Sequence, residues 1–203
     1  NKIVKRDFDF SSQVSSEILA EDIEPFLCEG LDSYKLIFIN GVFDKSLSIL
    51  GSNEKFFVGS LKQGMKEMPD TINAHYGKLA DTKQSLVALN TAMANEGAFV
   101  YVKKGVKLDK LVQILFVNTN HEESRMMQTR NLFVLEDFAE AQIFERHQAF
   151  NQGHVFSNSV TESSVGKQAQ FKHFKLQNDL DSSSMVDSTF VKQGSNSSAL
   201  VDT

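Results

Sequence analysis

The segment LEDFAEAQIFE, residues 135–145, is followed thirty residues later by a segment of the same rhythm, VGKQAQFKHFK, residues 165–175. Placing one over the other matches three pairs of apolar or small residues: Leu135 with Val165, Ala139 with Ala169, and Phe144 with Phe174. Thirty residues before the first segment, GVKLDKLVQIL begins at Gly105 and has a short apolar run, Gln113 to Leu115, in the corresponding place. Repeated units of strand and turn predict a solenoid, because each coil stacks on the last and buries a shared core.

The chain from Gly97 onward consists of strand-like runs separated by polar or glycine-containing breaks. These runs are AFVYV, VQILFVN, NLFVLE, AQIFERH, HVFSNSV, QFKHFKLQ and STFVKQ. We expect Ala139 and Ala169 at tight corners and the Phe and Ile side chains stacked inside. Periodicity alone leaves an antiparallel sandwich with coincidental similarity as the alternative.

The chain before Gly97 has mixed character. SYKLIFING ends in Asn40-Gly41 and is followed by VFDKSLSIL, which predicts a β-hairpin. A helix is predicted to begin at Pro69-Asp70-Thr71 and to end at Gly97 in a left-handed cap. Its apolar face recurs at helical spacing and comprises Ile72, Tyr76, Leu79, Leu86, Leu89 and Met93.

The composition is that of a soluble globular protein, with 203 residues, 41% hydrophobic and 23% charged residues, and a net charge of -5. This acidic balance argues against a nucleic-acid surface. No segment has the ~18 uncharged apolar residues that a membrane span needs, and the residues from Asn1 onward do not show the charged-then-apolar pattern of a signal peptide. We therefore expect a cytoplasmic protein. Because the chain begins at Asn1 rather than Met and stops at SSALVDT, we also expect a fragment of a longer protein.

Motifs for catalysis or metal binding are scarce. The one cysteine, Cys28, excludes an internal disulfide and a cysteine-rich cluster site, and we interpret it as a small packed thiol. Neither a phosphate-binding glycine loop nor a Gly-x-Ser-x-Gly elbow is present. HEESR, residues 121–125, has Arg125 where a zinc motif needs histidine, and we interpret it as a solvated loop.

Three histidines of the repeat region are of interest. His147 and His154 flank the loop QAFNQG and could face one another. Hydrogen bonding to backbone or water is the usual role of such histidines, and metal binding by the pair is the less favoured alternative. His173 alternates with Phe171 and Phe174, and we expect it to point outward. No catalytic, cofactor-binding or metal-binding residue is predicted.

Three blocks resemble the SufB/SufD family, and within it SufD. They are KLADTKQSLVALNTAMANEGAFVYVKKGVKLDKLVQILF, RNLFVLEDFAEAQIFERH and FSNSVTESSVGKQAQFKHFKLQND, within residues 74–193. Leu111 departs from the family, which commonly has proline there. The resemblance implies a mainly β fold: a right-handed parallel β-helix (solenoid), beginning at residues 98–203 and cut short, after a smaller α+β or helical N-terminal region, residues 1–97.

The same resemblance implies function and partners. SufD-like proteins pair with SufB, and both dock on SufC, an ATPase of the ABC type, in a cytoplasmic assembly that builds iron–sulfur clusters. This chain would be a non-catalytic subunit with no cofactor of its own, since the family residues thought to handle iron or cluster lie beyond Thr203. We also expect possible self-association through the exposed β-helix end, Phe190 to Val201.

Two other functions stay open from the residues alone. A β-helix carbohydrate-active enzyme would need carboxylates that converge on one face. In the predicted coils the acids are scattered: Glu136, Asp137, Glu140, Glu145, Glu162 and Asp187. A purely structural solenoid would differ from the assembly subunit only in its partners.

Overall fold

The computed structural model describes residues 18–119, 124–150, 154–179 and 183–203. In these ranges the helices are α1 (Ala20–Ile23), α2 (Leu61–Glu67), α3 (Pro69–His75) and α4 (Ser85–Met93), with a 3₁₀ turn at Glu24–Phe26. The strands are β1 (Ser33–Ile39), β2 (Val42–Ile49), β3 (Gly51–Ser52), β4 (Phe56–Ser60), β5 (Ala98–Val102), β6 (Leu111–Asn118), β7 (Arg125–Leu135), β8 (Glu140–Ala149), β9 (Val155–Val165), β10 (Gln170–Asn178), β11 (Ser184–Gln193) and β12 (Ser198–Asp202).

The strands form two six-stranded sheets. Sheet 1 has the order β12-β10-β8-β6-β1-β2, and sheet 2 has the order β11-β9-β7-β5-β4-β3. From β5 onward, consecutive strands alternate between the sheets, and neighbours within each sheet are parallel. The result is a β-solenoid of about three turns. The predicted solenoid is confirmed, and the antiparallel sandwich is wrong.

The register of the coils follows the sequence repeat. Leu135 pairs with Val165 across β7 and β9, and Phe144 pairs with Phe174 across β8 and β10. The earlier repeat is displaced by one residue, because Gln113 of β6 pairs with Phe144. Paired residues are therefore thirty positions apart in one pair of adjacent coils, and this spacing differs in other pairs of coils.

The core lies between the two sheets. Its side chains come from both, including Phe38, Phe116, Phe133, Ile143 and Phe171. Ala139 and Ala169 are fully buried where β7 turns into β8 and β9 into β10, as predicted for tight corners. Small residues are suited to these corners because two coils approach closely there.

The predicted hairpin is present as β1 and β2. Asn40 and Gly41 join the strands with φ angles of 52° and 78°, the left-handed conformation that an Asn-Gly hairpin turn requires. β1 also pairs with β6 in parallel, and β4 pairs with β5. Both sheets therefore extend into the chain before Gly97, and the division at that residue stays a prediction.

The single long helix predicted from Pro69 to Gly97 is wrong. Two short helices, α3 and α4, occupy its ends, and the chain between them contains Gly77 with a φ of +69°. Gly97 does not cap a helix, since α4 ends at Met93. A side chain at Gly97 would instead place its Cβ 1.8 Å from the carbonyl oxygen of Arg130, so close packing of β5 against β7 requires glycine.

Helices lie on the outer faces of both sheets, since Ile23 of α1 packs against Ile37 and Leu115 of sheet 1. α2 and α3 pack against the outer side of sheet 2 through Leu61 and Ile72, which contact Leu132 and Val134 of β7. Among the described residues, no helix combines the length and the apolar character needed to cross a membrane.

Candidate functional site

The interior of the solenoid changes from apolar to polar along its strands. On β8 the inward row begins with Ala141 and Ile143 and continues with Glu145 and His147, all buried. On β10 the row continues from Phe171 to His173, also fully buried. Across the core, β9 contributes a buried polar row: Ser157, Ser159, Thr161 and Ser163. Such groups need internal partners, because desolvation without a hydrogen bond is costly.

Glu145 is the centre of this polar interior. Its Oε1 lies 2.7 Å from Nε2 of His147, and its Oε2 lies 2.9 Å from Nε2 of His173 on the next coil. Asn131 of sheet 2 donates to Oε2 at 3.4 Å. Since an ionised carboxylate only accepts hydrogen bonds, both imidazoles carry a proton on Nε2.

The charge of Glu145 is held by its surroundings. Burial alone would raise the pKa of the carboxyl group, but the positive charge of Lys175 and the hydrogen bonds from His147 and His173 outweigh it. The pKa is therefore held well below its usual 4.5. Glu145 is a buried carboxylate at neutral pH.

Aromatic side chains fix both imidazoles. The ring of His147 stacks on Phe116 with centroids 4.7 Å apart, and the ring of His173 meets Phe133 edge-on at 5.2 Å. Nδ1 of His173 is buried without a hydrogen-bond partner among the described residues. The two rings are thus oriented by packing as well as by Glu145.

A cavity of about 490 Å³ adjoins this cluster near β12. Its lining includes His147, Lys175, Gln177, Asp187 and Thr189. Lys175 donates to Asp187 at 2.6 Å and to Thr189 at 2.8 Å. The cavity is therefore lined by hydrogen-bond donors and acceptors that are available to a small polar ligand.

The sequence-based expectations for the histidines are partly corrected. His173 does not point outward: it is fully buried, because Glu145 on the neighbouring coil takes its Nε2. His147 is turned inward to the same carboxylate, whereas the side chain of His154 is exposed at the start of β9. Within the described ranges, no group of three or more His, Cys, Asp or Glu side chains is arranged to hold a metal ion.

Cys28 and HEESR add little chemistry. Cys28 is half-buried, and its backbone N–H donates to Oε1 of Gln113 at 2.7 Å; the packed thiol stays a prediction. Most of HEESR, residues 121–123, lies outside the described residues.

The scattered acids of the coils are already engaged within the chain. Glu136 accepts from Tyr101 at 2.6 Å, and Asp137 accepts from the backbone of Lys167 at 2.8 Å. Glu140 pairs with Lys107 at 3.1 Å. Glu162 pairs with Arg130, and Asp187 pairs with Lys175. Glu145 is bound by His147 and His173. This arrangement does not favour the two cooperating carboxylates of a glycoside hydrolase.

Sequence reasoning missed Glu145 and Lys175 as a site. Ile143, Glu145 and His147 alternate along AQIFERH, so they lie on the same face of a strand. The sequence alone does not show whether that face of β8 points into the core. The direction of that face depends on Val112 pairing with Ile143, a contact between distant parts of the chain.

Sequence comparison shows what the chain is related to. Residues 1–114 match the SufBD protein N-terminal region, and residues 116–201 match the SufBD core domain of the SUF iron–sulfur cluster assembly system. The chain belongs to the SufBD family. The resemblance noted from the three sequence blocks is thereby confirmed at the level of the SufBD family, and the finer likeness to SufD stays a prediction.

A curated relative agrees with this assignment. The chain is 27% identical over 200 residues to an iron–sulfur cluster assembly SufBD family protein of Synechocystis. The match covers 94% of this chain and 44% of the relative. The chain thus spans less than half of the length of this SufBD protein.

Proposed function

We propose that this SufBD chain belongs to a SufD-like, non-catalytic subunit of a cytoplasmic iron–sulfur cluster assembly complex. The observation that carries the proposal is the succession of the two SufBD regions, in order and nearly without a gap, over residues 1–201. The likeness of three sequence blocks to SufD supports the finer assignment.

The side chains present support a scaffold role. Clusters are held mainly by thiolates, and the chain has one cysteine, Cys28, which lies before the first strand of either sheet. Ligands for a cluster would come from partner subunits or from other parts of the parent protein. We propose no resident cofactor on this chain.

The proposed partners are a SufB-like paralogue and a SufC-like ABC ATPase. The chain carries no glycine-rich phosphate loop, so nucleotide hydrolysis belongs to a partner.

The test is affinity purification of the tagged parent protein from its own cells. We expect mass spectrometry to find an ABC-type ATPase and a second SufBD protein together with the tagged chain, and both to be missing from an untagged strain. A soluble, abundant protein that recovers neither would contradict the proposal.

A second measurement tests the non-catalytic role. In cluster reconstitution with the purified complex, Cys28→Ser should load as much iron and sulfide as the wild type, because no chemistry is assigned to this thiol. A loss of loading in Cys28→Ser, with the complex still assembled, would show that the chain supplies a ligand or sulfur carrier.

A further inference from the structure

A second cavity lies on the outer side of sheet 2, away from the Glu145 cluster. Its volume is about 540 Å³. One wall is the end of α3 and the chain after it, and the other is formed by the strand ends and corner turns that follow β7, β9 and β11. Four lysines line it, and we name it the lysine groove: Lys78, Lys104, Lys167 and Lys192. This volume falls in the range of small-ligand pockets.

The lysines have no internal counter-charge in ion-pair contact. Over the described ranges, none of these four ammonium groups lies within 4.0 Å of a carboxylate, whereas other lysines of the chain, such as Lys110 and Lys175, do. The two acids that also line the groove are Glu136 and Asp137. Four lysines against two acids leave an excess of positive charge in a protein whose net charge is -5.

Both of those acids are occupied. Glu136 accepts from the Tyr101 hydroxyl at 2.6 Å and from the backbone N–H of Lys104 at 2.9 Å. Burial and the neighbouring carboxylate raise the pKa of Tyr101 to about 12, so the hydroxyl stays protonated and keeps donating. Asp137 accepts from the backbone N–H of Lys167 at 2.8 Å. The carboxylates are thus directed to fixed donors. Lys104 also lies 5.9 Å from the ring of Phe138, and a cation–π contact of this kind does not neutralise its charge.

His75 adds a neutral polar group to the groove. Its Nδ1 lies 3.0 Å from the hydroxyl of Ser164. Burial lowers the pKa of the imidazole, and the charge of Lys192 lowers it further, so His75 is neutral at pH 7. A neutral imidazole can exchange hydrogen bonds with a bound group without adding charge.

The rest of the lining is apolar. Its accessible apolar surface comes from Ala74 and Leu79, and the strand ends beneath carry Val134, Leu135 and Val165, which are almost fully buried. A bare inorganic ion would leave this surface unused, whereas a ligand with an apolar body would cover it. We propose that the lysine groove binds a small organic anion, with a phosphate or carboxylate among the lysines and an apolar body against Ala74 and Leu79.

The test is a titration of the 203-residue chain, followed by backbone amide NMR. Phenyl phosphate is the probe, and inorganic phosphate and benzyl alcohol represent its two halves. We expect saturable shifts for phenyl phosphate at Gly166 and Gly194, which line the groove, and weaker binding of either half. Binding should weaken with added salt, because screening reduces attraction between exposed charges.

The variant Lys167→Gln/Lys192→Gln should weaken phenyl phosphate binding by about tenfold or more, a loss of roughly 1.4 kcal/mol. Both lysines are exposed, so folding should be kept, and the amide spectrum verifies it. The matched control, Lys45→Gln/Lys172→Gln, removes two exposed lysines from strands of sheet 1 and should bind like the wild type.

Two results would overturn the proposal. One is the lack of saturable shifts at Gly166 and Gly194 with phenyl phosphate. The other is equal weakening in the groove variant and its control, which would indicate general attraction to lysines. Neither result bears on the assembly role, since the groove is argued from its own residues.

Discussion

Arg130 and Glu162 form an ion pair on adjacent coils, on the outer side of sheet 2, with both side chains completely buried. Nη2 of Arg130 lies 2.6 Å from Oε2 of Glu162. Glu162 also accepts the backbone N–H groups of Gly77, Leu79 and Ala80 at 2.7 to 3.0 Å. This one carboxylate therefore ties the turn between α3 and α4 to the solenoid.

Removing the charge of Glu162 should destabilise the protein. In Glu162→Gln the guanidinium of Arg130 would remain buried without its counter-ion, and a loss of about 3–5 kcal/mol is expected. Urea unfolding measures it. The control is Glu140→Gln, which breaks the exposed pair with Lys107 and should cost about 0–1 kcal/mol. An equal loss of unfolding free energy in the two variants would show that the buried pair of Arg130 and Glu162 contributes no more than an exposed pair.

Acid should unfold the protein through its buried carboxylates. Burial opposes ionisation of Glu145 and Glu162, yet hydrogen bonds and neighbouring positive charges hold the pKa of each below 4.5. A carboxyl group whose pKa is lowered by folding stabilises the folded state at every pH above its pKa in the unfolded chain. That contribution to stability is lost as the pH falls below about 4.5.

The measurement is the free energy of unfolding between about pH 5 and about pH 3, where carboxyl groups titrate. Glu145→Gln should be less stable than the wild type at pH 5 and should lose less stability on acidification. The same pH slope in both proteins would contradict an ionised Glu145.

Gly97 should tolerate no side chain. In Gly97→Ala the new Cβ would meet the Arg130 carbonyl oxygen at 1.8 Å, and we expect a loss of about 3 kcal/mol or more. Gly105→Ala is the control, because Gly105 has a φ of +71° but open space around it. Strain alone should cost that variant about 1–2 kcal/mol. Thermal unfolding of both variants would compare them, and a milder effect at Gly97 would contradict the close approach.

The edges formed by β11 and β12 should let the 203-residue chain associate with itself. Leu200 on β12 is 47% exposed, and a charge on an edge strand disfavours pairing with another chain. We expect light scattering to show concentration-dependent association that Leu200→Lys reduces. Leu31→Lys, at a residue 52% exposed and outside both sheets, should leave it unchanged. A strict monomer at high concentration would contradict the prediction.

The sequence was sufficient for the features that depend on local pattern. The Asn40-Gly41 hairpin and the stacking of Leu135 on Val165 both follow from residue type and spacing. The repeat could be read because the coils share one core and so keep one rhythm. The family resemblance then supplied the fold at the scale of the domain.

Features that depend on distant contacts could not be read from the sequence. The long helix expected across Gly77 is interrupted where Glu162, more than eighty residues later, holds three backbone N–H groups. The inward position of His173 depends on a carboxylate of the preceding coil, Glu145. A pattern of apolar residues predicts only an apolar interior. It could not show that polar side chains such as Glu145 and His173 are buried in the core.

The strands at the first edge of each sheet, β2 and β3, limit how copies of this chain can join. β2 and β3 run antiparallel to their neighbours, β3 has two residues, and the pairing of β2 with β1 is irregular between Lys35 and Ile37. Short or irregular edge strands resist pairing with another chain. Only the opposite edges, at β11 and β12, are then suited to it among the described strands. A fibre needs two complementary surfaces on every copy, so association through this single end stops at a pair.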